Sequence, residues 1–327
     1  MRWFCTYFDR NFMTRGLALY ESLRRHCPDA QICIVCLDDE SRETLAKMKL
    51  PGVKAISLAE LENYEPELLV AKGNRGLLEY YYTLTPIIIL FALDHFSESD
   101  MLTYLDSDLF FFNDPQPLFD ELGHDSISII GHRFPPKLLH LAKFGIYNVA
   151  WLTFRRDARA MDCLRWWRDR CLEWCFDRLE GNRYADQKYL DDWPERFEGV
   201  KVLQHKGANV APWNLANYEI SEDDGTVLVD GEKLLFFHFH RFRQVAGRVY
   251  DTNLAPYGAK ASAAVKQAIF EPYIKAILTT TARAEKIWPG MAFDLGVRHQ
   301  NRDIVVRLKR TLRTFQKVLN GDFIFFR

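Results

Sequence analysis

Residues 104–112 read Tyr-Leu-Asp-Ser-Asp-Leu-Phe-Phe-Phe, and this stretch decides how the rest of the chain is interpreted. Two aspartates separated by one residue follow an apolar run that is typical of a buried strand. Carboxylates that leave the end of a strand together suit Mn²⁺ or Mg²⁺ carried by a phosphate ligand, because these hard cations prefer oxygen. The alternative is a solvated strand end in which Asp108 is an ordinary turn residue.

The segments before this pair alternate between strand and helix patterns. Strands are predicted for residues 3–8, 31–37, 53–58 and 101–105, and helices for residues 13–25, 40–47 and 77–93. Strands that alternate with helices predict an α/β fold with a mixed, mainly parallel sheet and flanking helices. In such a sheet the ligand crevice lies beyond the carboxyl ends of the strands, where the aspartate pair is placed.

The second half of the chain contains further strands and then a helical extension. Strand patterns occur at residues 126–131, 149–154, 200–203, 227–229 and 234–237, and residues 158–179 have a helix pattern. From about Pro256 the pattern becomes helical, so we expect an α/β domain over residues 1–255 and a helical, basic extension over residues 256–327. The extension carries an apolar stripe made of Ile304, Leu308, Leu312, Phe315 and Leu319.

The charge of the chain is unevenly distributed, although the formal net charge of its 327 residues is −1. Residues 298–327 contain eight Lys or Arg and two Asp or Glu, which leaves 35 and 42 for residues 1–297, a net of −7. The acidic body argues against a nucleic-acid partner and suits recruitment of a divalent cation. The basic tail predicts peripheral contact with an anionic membrane, or packing on the domain or another subunit. Its cations include Arg307, Lys309, Arg310 and Arg313.

Composition excludes several classes of protein and indicates a compartment. Apolar residues make up 48% and charged residues 27%, which excludes a disordered or low-complexity chain. Seven cysteines, with no charged start that leads into an apolar run, favour reduced thiols in the cytoplasm, or on the inner face of the membrane. Cys33 and Cys36 form a C-x-x-C pair inside an apolar run, so a buried strand is favoured over a redox or zinc site.

Polar residues also follow other predicted elements. Residues 8–11 close the first strand, residues 185–190 begin a helix, and residues 236–240, Phe-Phe-His-Phe-His, end the last strand. Alternation along a strand places His238 and His240 on one face, where imidazole can complete a Mn²⁺ shell begun by carboxylates. The alternatives are a turn and helix cap at the first segment, a dipole-stabilising aspartate at the second and structural histidines at the third.

Two loops carry weaker patterns. The loop that contains Trp213 suits stacking on an acceptor or donor sugar, and the alternative is a loop packed around that tryptophan. Residues 132–136, His-Arg-Phe-Pro-Pro, suit either a mobile cover over the donor or a rigid connection.

Together these segments resemble the GT-A glycosyltransferases, and among them the retaining enzymes of family 8, such as glycogenin and the lipopolysaccharide galactosyltransferases. The resemblance covers about residues 1–245 and keeps the order of the family's motifs. The matches are residues 5–12 with the T-x-D-x-x-Y-like loop, residues 104–108 with Y-L-D-x-D, residues 147–151 with F-N-S-G-V, residues 186–191 with D-Q-D-x-L-N, and His238-Phe239 with the start of H-F-x-G-x-x-K-P-W.

The resemblance implies a role for each matching residue. The metal would be held by Asp106, Asp108 and His238, with Asp106 also near the nucleotide. The nucleotide would be bordered by Thr6, Tyr7 and Asp9. The donor sugar would be faced by the catalytic residues Asn148, Asp186 and Gln187, with Gln187 nearest the reacting carbon.

The chain departs from the family pattern in its basic residues. The K-P-W ending is absent, so Arg241 or Arg243 is expected to replace the lysine that grips the diphosphate. Lys188 replaces the third residue of D-Q-D, so the family's direct sugar contact at this position is not carried over. For the basic side chain that precedes the donor site, Lys72 and Arg75 are the candidates.

The implied activity is metal-dependent transfer of a sugar from a nucleotide diphosphate donor, expected to be UDP-linked, to a glycan, lipid-linked or other acceptor, with retention. The cation and an arginine would neutralise the charge that develops on the diphosphate. One alternative is a nucleotidyltransferase that acts on a sugar phosphate, which would need a Gly-rich loop after the first strand, where Gly16 stands alone. The other is a non-catalytic carbohydrate-binding protein with the same fold.

Overall fold

The computed structural model describes residues 1–96, 98–289, 317 and 322–326. Its strands are β1 (Trp3–Phe8), β2 (Gln31–Cys36), β3 (Val53–Ser57), β4 (Met101–Leu105), β5 (Leu109–Phe111), β6 (Ile127–Gly131), β7 (Tyr147–Arg155), β8 (Val200–Leu203), β9 (Ile220–Asp223), β10 (Thr226–Val229), β11 (Glu232–Lys233), β12 (Phe236–His238), β13 (Arg243–Ala246), β14 (Val249–Asp251) and β15 (Phe323–Phe325). Its α-helices are α1 (Met13–His26), α2 (Asp39–Met48), α3 (Leu58–Tyr64), α4 (Glu67–Asn74), α5 (Leu77–His95), α6 (Gln116–Leu122), α7 (Ala158–Glu173), α8 (Trp193–Arg196), α9 (Ala263–Val265) and α10 (Glu271–Ile287). Short 3-10 helices span Pro136–Phe144, Gln187–Asp192, Leu215–Asn217 and Ala255–Tyr257, and a π-helix spans Lys266–Phe270.

A seven-stranded sheet in the order β3-β2-β1-β4-β7-β6-β8 forms the centre of the domain. Strands β1 to β4 are parallel, β7 is antiparallel to both of its neighbours, and β6 is parallel to β8. The predicted mixed, mainly parallel α/β sheet is therefore confirmed. The strand order reverses at β1, which pairs with β2 on one side and β4 on the other. This reversal is the point where ligands bind in open α/β sheets.

Helices cover both faces of the sheet because its central strands are apolar on both sides. Cys5 of β1 lies in the core formed with α5 and α7, whereas Phe4 and Phe8 lie in the core formed with α1. Helix α1 approaches β1 closely at Gly16, where an added Cβ would lie 2.3 Å from the Phe8 ring. A glycine at this position therefore allows the first helix to pack on the first strand.

Helix α5 is the longest of the described helices and supports one face of the sheet. In the described part of the chain it is the one helix that is long and apolar enough, by length and composition, to cross a membrane. However, 67% of its apolar window is buried inside the domain, as is typical of a core helix.

A two-stranded ribbon carries the aspartate pair to the histidines. Strand β5 pairs antiparallel with β12, in a register that places Leu109 opposite His238. On one face of this ribbon, Phe110 and Phe239 pack against Tyr273 of α10, and the Phe239 and Tyr273 rings stack at 3.7 Å. Packing of the phenylalanines leaves the histidines for the other face, as the alternation predicts.

The described part of the expected extension packs on the α/β domain. Thr280 Oγ1 of α10 donates a hydrogen bond to the Thr14 carbonyl of α1 at 2.9 Å, and Trp288 Nε1 donates to Thr44 Oγ1 of α2 at 2.9 Å. Strand β15 pairs with β14. Packing on the domain, one of the two expectations for the extension, is therefore seen for its described part, and the boundary at residue 255 stays a prediction. The residues of the apolar stripe, and Arg307, Lys309, Arg310 and Arg313 beside it, lie outside the described residues.

Candidate active site

The aspartate pair and the histidine strand meet at the carboxyl end of β4. His238 Nε2 lies 3.1 Å from Asp108 Oδ1 and 3.8 Å from Asp106 Oδ2. In the part of the chain that the structure describes, the ligand atoms of Asp108, His238 and His240 all lie within 4.8 Å of one another. The structure thus brings the three predicted metal ligands together, with His240, the other histidine of that strand face, beside Asp108 and His238. Metal binding by these residues stays a prediction.

Burial and neighbouring charges set the pKa values in this cluster. Burial raises the pKa of Asp106, and the Asp108 carboxylate raises it further, which outweighs the opposing charge of His238. Burial acts in the same direction on Asp108, but the charge and hydrogen bond of His238 outweigh it and hold the pKa of Asp108 below its ordinary value. Burial, together with the charge of His238, lowers the pKa of His240 to about 3. His240 is therefore a neutral imidazole with a lone pair available to a metal.

Trp213 supports the two histidines. Its ring meets His238 and His240 edge-on, with ring centroids 5.1 and 5.4 Å apart. Trp213 Nε1 donates a hydrogen bond to the His132 carbonyl at 3.0 Å, and Asn214 Nδ2 donates to the same carbonyl at 3.0 Å. Because the Trp213 side chain is packed and bonded in this way, the structure favours the packing alternative for this loop over an exposed stacking platform.

A second buried carboxylate, Asp186, is linked to Asp106 through hydroxyl groups. Thr85 Oγ1 donates to Asp186 Oδ2 at 3.0 Å, and the Tyr104 hydroxyl donates to Asp106 Oδ1 at 3.0 Å. The Tyr7 hydroxyl lies beside both Thr85 and Tyr104, and because it carries one proton it donates to one of them at a time. Burial and the charge of Asp106 raise the pKa of Asp186 to about 7. We call Tyr7, Thr85 and Tyr104 the hydroxyl link, because they connect the two carboxylates.

Gln187 and Asn148 lie near these groups and have protein partners of their own. Gln187 Nε2 donates to the Phe144 carbonyl at 2.8 Å, which leaves its Oε1 without a hydrogen-bond partner among the described residues. Asn148 Nδ2 lies 3.1 Å from His132 Nε2, and its Oδ1 accepts from the Ala150 N–H at 3.1 Å. The predicted contacts of both residues with the donor sugar stay predictions.

The residues expected to border the nucleotide are placed differently. Thr6 is 2% exposed, it lies against α1, and its Oγ1 has no hydrogen-bond partner among the described residues. Because side chains alternate along a strand, Tyr7 rather than Thr6 points to the face that carries Asp186. Asp9 accepts backbone N–H groups of the loop before α1 at 2.9 and 3.1 Å, as the turn alternative predicts. The placement of Thr6 does not support a side-chain contact with a nucleotide.

Arg75 and Lys72 have partners within the fold. The Arg75 guanidinium donates to two carbonyls of the last turn of α7 and to Thr83 Oγ1, the latter at 2.6 Å. A helix leaves its last carbonyls without intrahelical partners, so Arg75 satisfies them where α7 ends, at Glu173 rather than at the predicted residue 179. Lys72 Nζ pairs with Glu62 Oε1 at 2.6 Å. Contact of Arg75 or Lys72 with the donor stays a prediction.

The two arginines expected to replace the family's lysine have different surroundings. Arg243 Nη2 lies 3.1 Å from Asp251 Oδ2, and Lys317 pairs with the same carboxylate, which is 1% exposed. Arg241 is exposed, with a left-handed φ of 55°, and forms no hydrogen bond or ion pair with a described residue. Its charge acts on the neighbouring His240. Of the two, Arg241 is therefore the side chain available to a phosphate.

Thr85 is the part of the site that sequence reasoning did not single out. It lies in α5, where Leu84 and the residues from Pro86 to Leu93 are apolar and buried. A hydroxyl in the middle of an apolar, buried helical run needs a partner, because an unpaired buried polar group is costly. That mismatch was the available signal, but the partner, Asp186, is distant in sequence. The sequence therefore indicated that the Thr85 hydroxyl has a hydrogen-bond partner, but it did not identify that partner.

Comparison with known proteins gives relatives and a fold. No protein-family model matches the chain. Two proteins of Bacillus subtilis (strain 168) are similar to it: the uncharacterized protein YfnD is 32% identical over 274 residues, which are 83% of this chain and 87% of YfnD, and the uncharacterized protein YfnF is 33% identical over 251 residues, 74% of this chain and 82% of YfnF. The apo form of the glycosyltransferase GlyE from Streptococcus pneumoniae TIGR4 matches with a TM-score of 0.50 and 14% identity, over 85% of this chain and 62% of GlyE. The last likeness confirms the predicted GT-A fold.

Proposed function

We propose that this chain, which belongs to the family of the Bacillus subtilis proteins YfnD and YfnF, is a metal-dependent glycosyltransferase. It transfers a sugar from a nucleotide diphosphate, which we take to be UDP-linked, to a glycan or lipid-linked acceptor. The fold supports this class of reaction by analogy, since GlyE is a glycosyltransferase. The observation that carries the proposal is the contact of Asp106 and Asp108 with His238 at the carboxyl end of β4.

The side chains in this cluster fit Mn²⁺ or Mg²⁺. Asp106 and Asp108 offer carboxylate oxygens, and His238 and His240 offer imidazole nitrogens, a mixture that suits Mn²⁺ better than the all-oxygen preference of Mg²⁺. Asp108 is buried and Asp106 is half-buried beside it, so the two neighbouring carboxylates need a compensating positive charge, as the raised pKa of Asp106 indicates. When bound, the cation supplies Lewis-acid stabilisation of the diphosphate leaving group.

The chain's own residues bind and orient the donor. Arg241 carries an unpaired guanidinium beside His240, so it adds a second positive charge where the diphosphate would lie. The hydroxyl link keeps Asp186 at a set position relative to Asp106, and this relation orients the sugar relative to the diphosphate. Gln187 offers its Oε1 to the sugar, because its amide nitrogen is already bonded to Phe144.

We propose that the transfer retains the anomeric configuration, as the family resemblance implies. An inverting transfer needs a general base for the acceptor hydroxyl on the far side of the sugar. Gln187, which the family resemblance places nearest the reacting carbon, is an amide and cannot take up a proton at neutral pH. Asp186 accepts a hydrogen bond from Thr85 and, with a pKa of about 7, has the basicity to take up a proton as well. Following the resemblance to the retaining family, we assign Asp186 to positioning the sugar and the leaving phosphate to receiving the proton of the acceptor. The anomeric configuration of the product, read by NMR, tests this part.

The proposal is tested by Asp108→Asn with Asp162→Asn as the matched control. Asp162 is exposed on α7 and forms no hydrogen bond or ion pair with a described residue. We expect the wild-type chain and the control to release UDP from a UDP-hexose only when Mn²⁺ or Mg²⁺ is present. The Asp108 variant should lose this activity by about 100-fold or more, which is typical when a group that stabilises a developing charge is removed.

Three results would contradict the proposal. Turnover that is independent of Asp108 and of metal would exclude the metal site. Pyrophosphate release from a nucleoside triphosphate and a sugar phosphate would identify a nucleotidyltransferase. Sugar binding by calorimetry, with no metal effect and no turnover of any nucleotide sugar, would indicate a carbohydrate-binding protein.

A further inference from the structure

We propose that residues 136–146, here called the rim segment, dock on an anionic lipid bilayer, and that the acceptor is therefore lipid-linked. The proposal rests on the proposed glycosyltransferase function, whose acceptor it names by class. It depends on three observations: the exposed apolar side chains of the segment, its unpaired positive charge, and its contact with the residues that face the donor sugar.

The apolar side chains of the rim segment are exposed. Its 3-10 helix, Pro136–Phe144, contains no buried residue. Leu139 is 59% exposed and Ile146 is 43% exposed. A helix on a globular protein ordinarily turns its leucines toward the core. Here Leu139 is exposed instead, within a helix that buries none of its residues, so the apolar side chains of the segment are available to another molecule or a membrane.

The positive charge of the rim segment favours an anionic bilayer as its binding partner. Residues 132–147 contain no Asp or Glu. Lys137 and Lys143 are exposed, and neither forms an ion pair with a described residue. Exposed apolar residues flanked by lysines are typical of segments that bind an anionic lipid surface. A second copy of this chain is a poorer occupant, because a two-fold interface would bring the same lysines together.

The position of the rim segment connects the bilayer to the reaction. The Phe144 carbonyl accepts from Gln187 at 2.8 Å, and the Ala142 carbonyl lies 3.4 Å from Lys188 Nζ. The Phe144 ring also contacts Tyr184, with centroids 4.8 Å apart. A bilayer on this segment would hold the headgroup of a lipid-linked acceptor beside Gln187, so the transfer would take place at the membrane surface.

The first test measures binding of the full chain to vesicles by co-sedimentation. The vesicles are made of phosphatidylcholine alone, or of phosphatidylcholine mixed with phosphatidylglycerol. We expect binding to the anionic vesicles that weakens with added salt. The double variant Lys137→Gln/Lys143→Gln should bind about 30-fold more weakly, because each of the two lysines near an anionic surface strengthens binding by about fivefold. The control Lys54→Gln/Lys275→Gln removes the same charge from two exposed lysines elsewhere and should bind as the wild type does.

The second test removes apolar surface. Leu139→Gln should weaken vesicle binding about tenfold, since part of a leucine no longer enters the bilayer. Its control, Val245→Gln, changes a residue that is 41% exposed on β13 and should have no effect. Equal binding by the wild type and the rim variants would overturn the proposal, because another part of the chain would then hold the membrane. Absence of vesicle binding, or a dimer that Leu139→Gln dissolves, would also overturn it.

A third assay measures UDP release from a UDP-hexose in the absence of an acceptor. It distinguishes a failure of the membrane-docking proposal from a failure of the proposed glycosyltransferase function. The rim variants should keep that activity, whereas Asp108→Asn should lose it and still bind vesicles. Loss of vesicle binding with intact donor turnover therefore bears on the docking surface alone. Loss of donor turnover in the wild type bears on the enzyme.

Discussion

Replacement of Asp186 by asparagine should stabilise the fold at alkaline pH while it impairs sugar transfer. Asp186 is 6% exposed, and burial and the charge of Asp106 raise its pKa to about 7. When Asp186 is ionised, its negative charge therefore lies in buried surroundings, near a second carboxylate, and this destabilises the folded chain. Asparagine has nearly the same shape and can still accept the hydrogen bond of Thr85, so the substitution removes the charge with little change in packing.

The magnitude follows from the pKa. At about 1.4 kcal/mol for each pKa unit, the difference between the ordinary 3.8 and about 7 destabilises the folded state by about 4 kcal/mol once Asp186 is ionised. The amide NH₂ group of the new asparagine has no hydrogen-bond partner provided for it, and burying it unpaired reduces the gain in stability by about 1 kcal/mol. The variant should thus gain about 3 kcal/mol in the free energy of unfolding at pH 8.

The sign of the pH dependence is opposite to that of a salt-bridged aspartate. The pKa of Asp186 is higher in the folded than in the unfolded chain, so the folded chain binds this proton more tightly and is destabilised as the pH rises from about 4 to about 7. The advantage of Asp186→Asn should therefore fall below about 1 kcal/mol at pH 5. Urea unfolding followed by circular dichroism, in metal-free buffer at both pH values, measures it.

Two outcomes would refute this reasoning. The variant would be no more stable than the wild type at pH 8, or its gain would be the same at pH 5 and pH 8. Asp162→Asn serves as the control, and its free energy of unfolding should stay within about 0.5 kcal/mol of the wild-type value, as is usual for a surface substitution.

Further predictions concern the basic residues and the packing of the fold. Arg241→Ala should raise the KM for the nucleotide sugar about tenfold or more through loss of a charged contact, whereas Arg243→Ala should leave that KM unchanged; steady-state kinetics distinguish them, and equal effects would contradict the assignment. Gly207→Ala should destabilise the chain by more than about 3 kcal/mol in urea unfolding, because the new Cβ would lie 1.9 Å from the Lys233 carbonyl oxygen; a stable variant would show that this close approach is wrong. Trp288→Phe should lower the free energy of unfolding by about 1 kcal/mol through loss of one hydrogen bond to α2, and an unchanged value would mean that this bond does not hold α10 to the domain.

The class of the fold was predictable because it depends on local periodicity. The alternation of strands and helices over the first hundred residues predicted the parallel part of the sheet, and the bounds of β1 and β4 agree with the predicted residues 3–8 and 101–105. The position of the aspartate pair was predictable for the same reason, since a strand that ends before Asp106 delivers it to the carboxyl edge of the sheet. Period-two alternation likewise predicted that His238 and His240 share a face.

The sequence by itself determined which strands and helices form and which residues directly follow their ends. Both depend on residues that are neighbours along the chain. Only the tertiary structure decided which distant groups are bonded. The Thr85–Asp186 hydrogen bond joins residues from two separate segments, and Arg75 is used at the end of α7 rather than left for a ligand. Alternation along β1 puts Thr6 and Tyr7 on opposite faces, but only the packing of α1 on the Thr6 face and of α5 on the Tyr7 face decides that Tyr7 points to the site. Hydrogen bonds and burial act through space, so these partners depend on how the sheet is assembled.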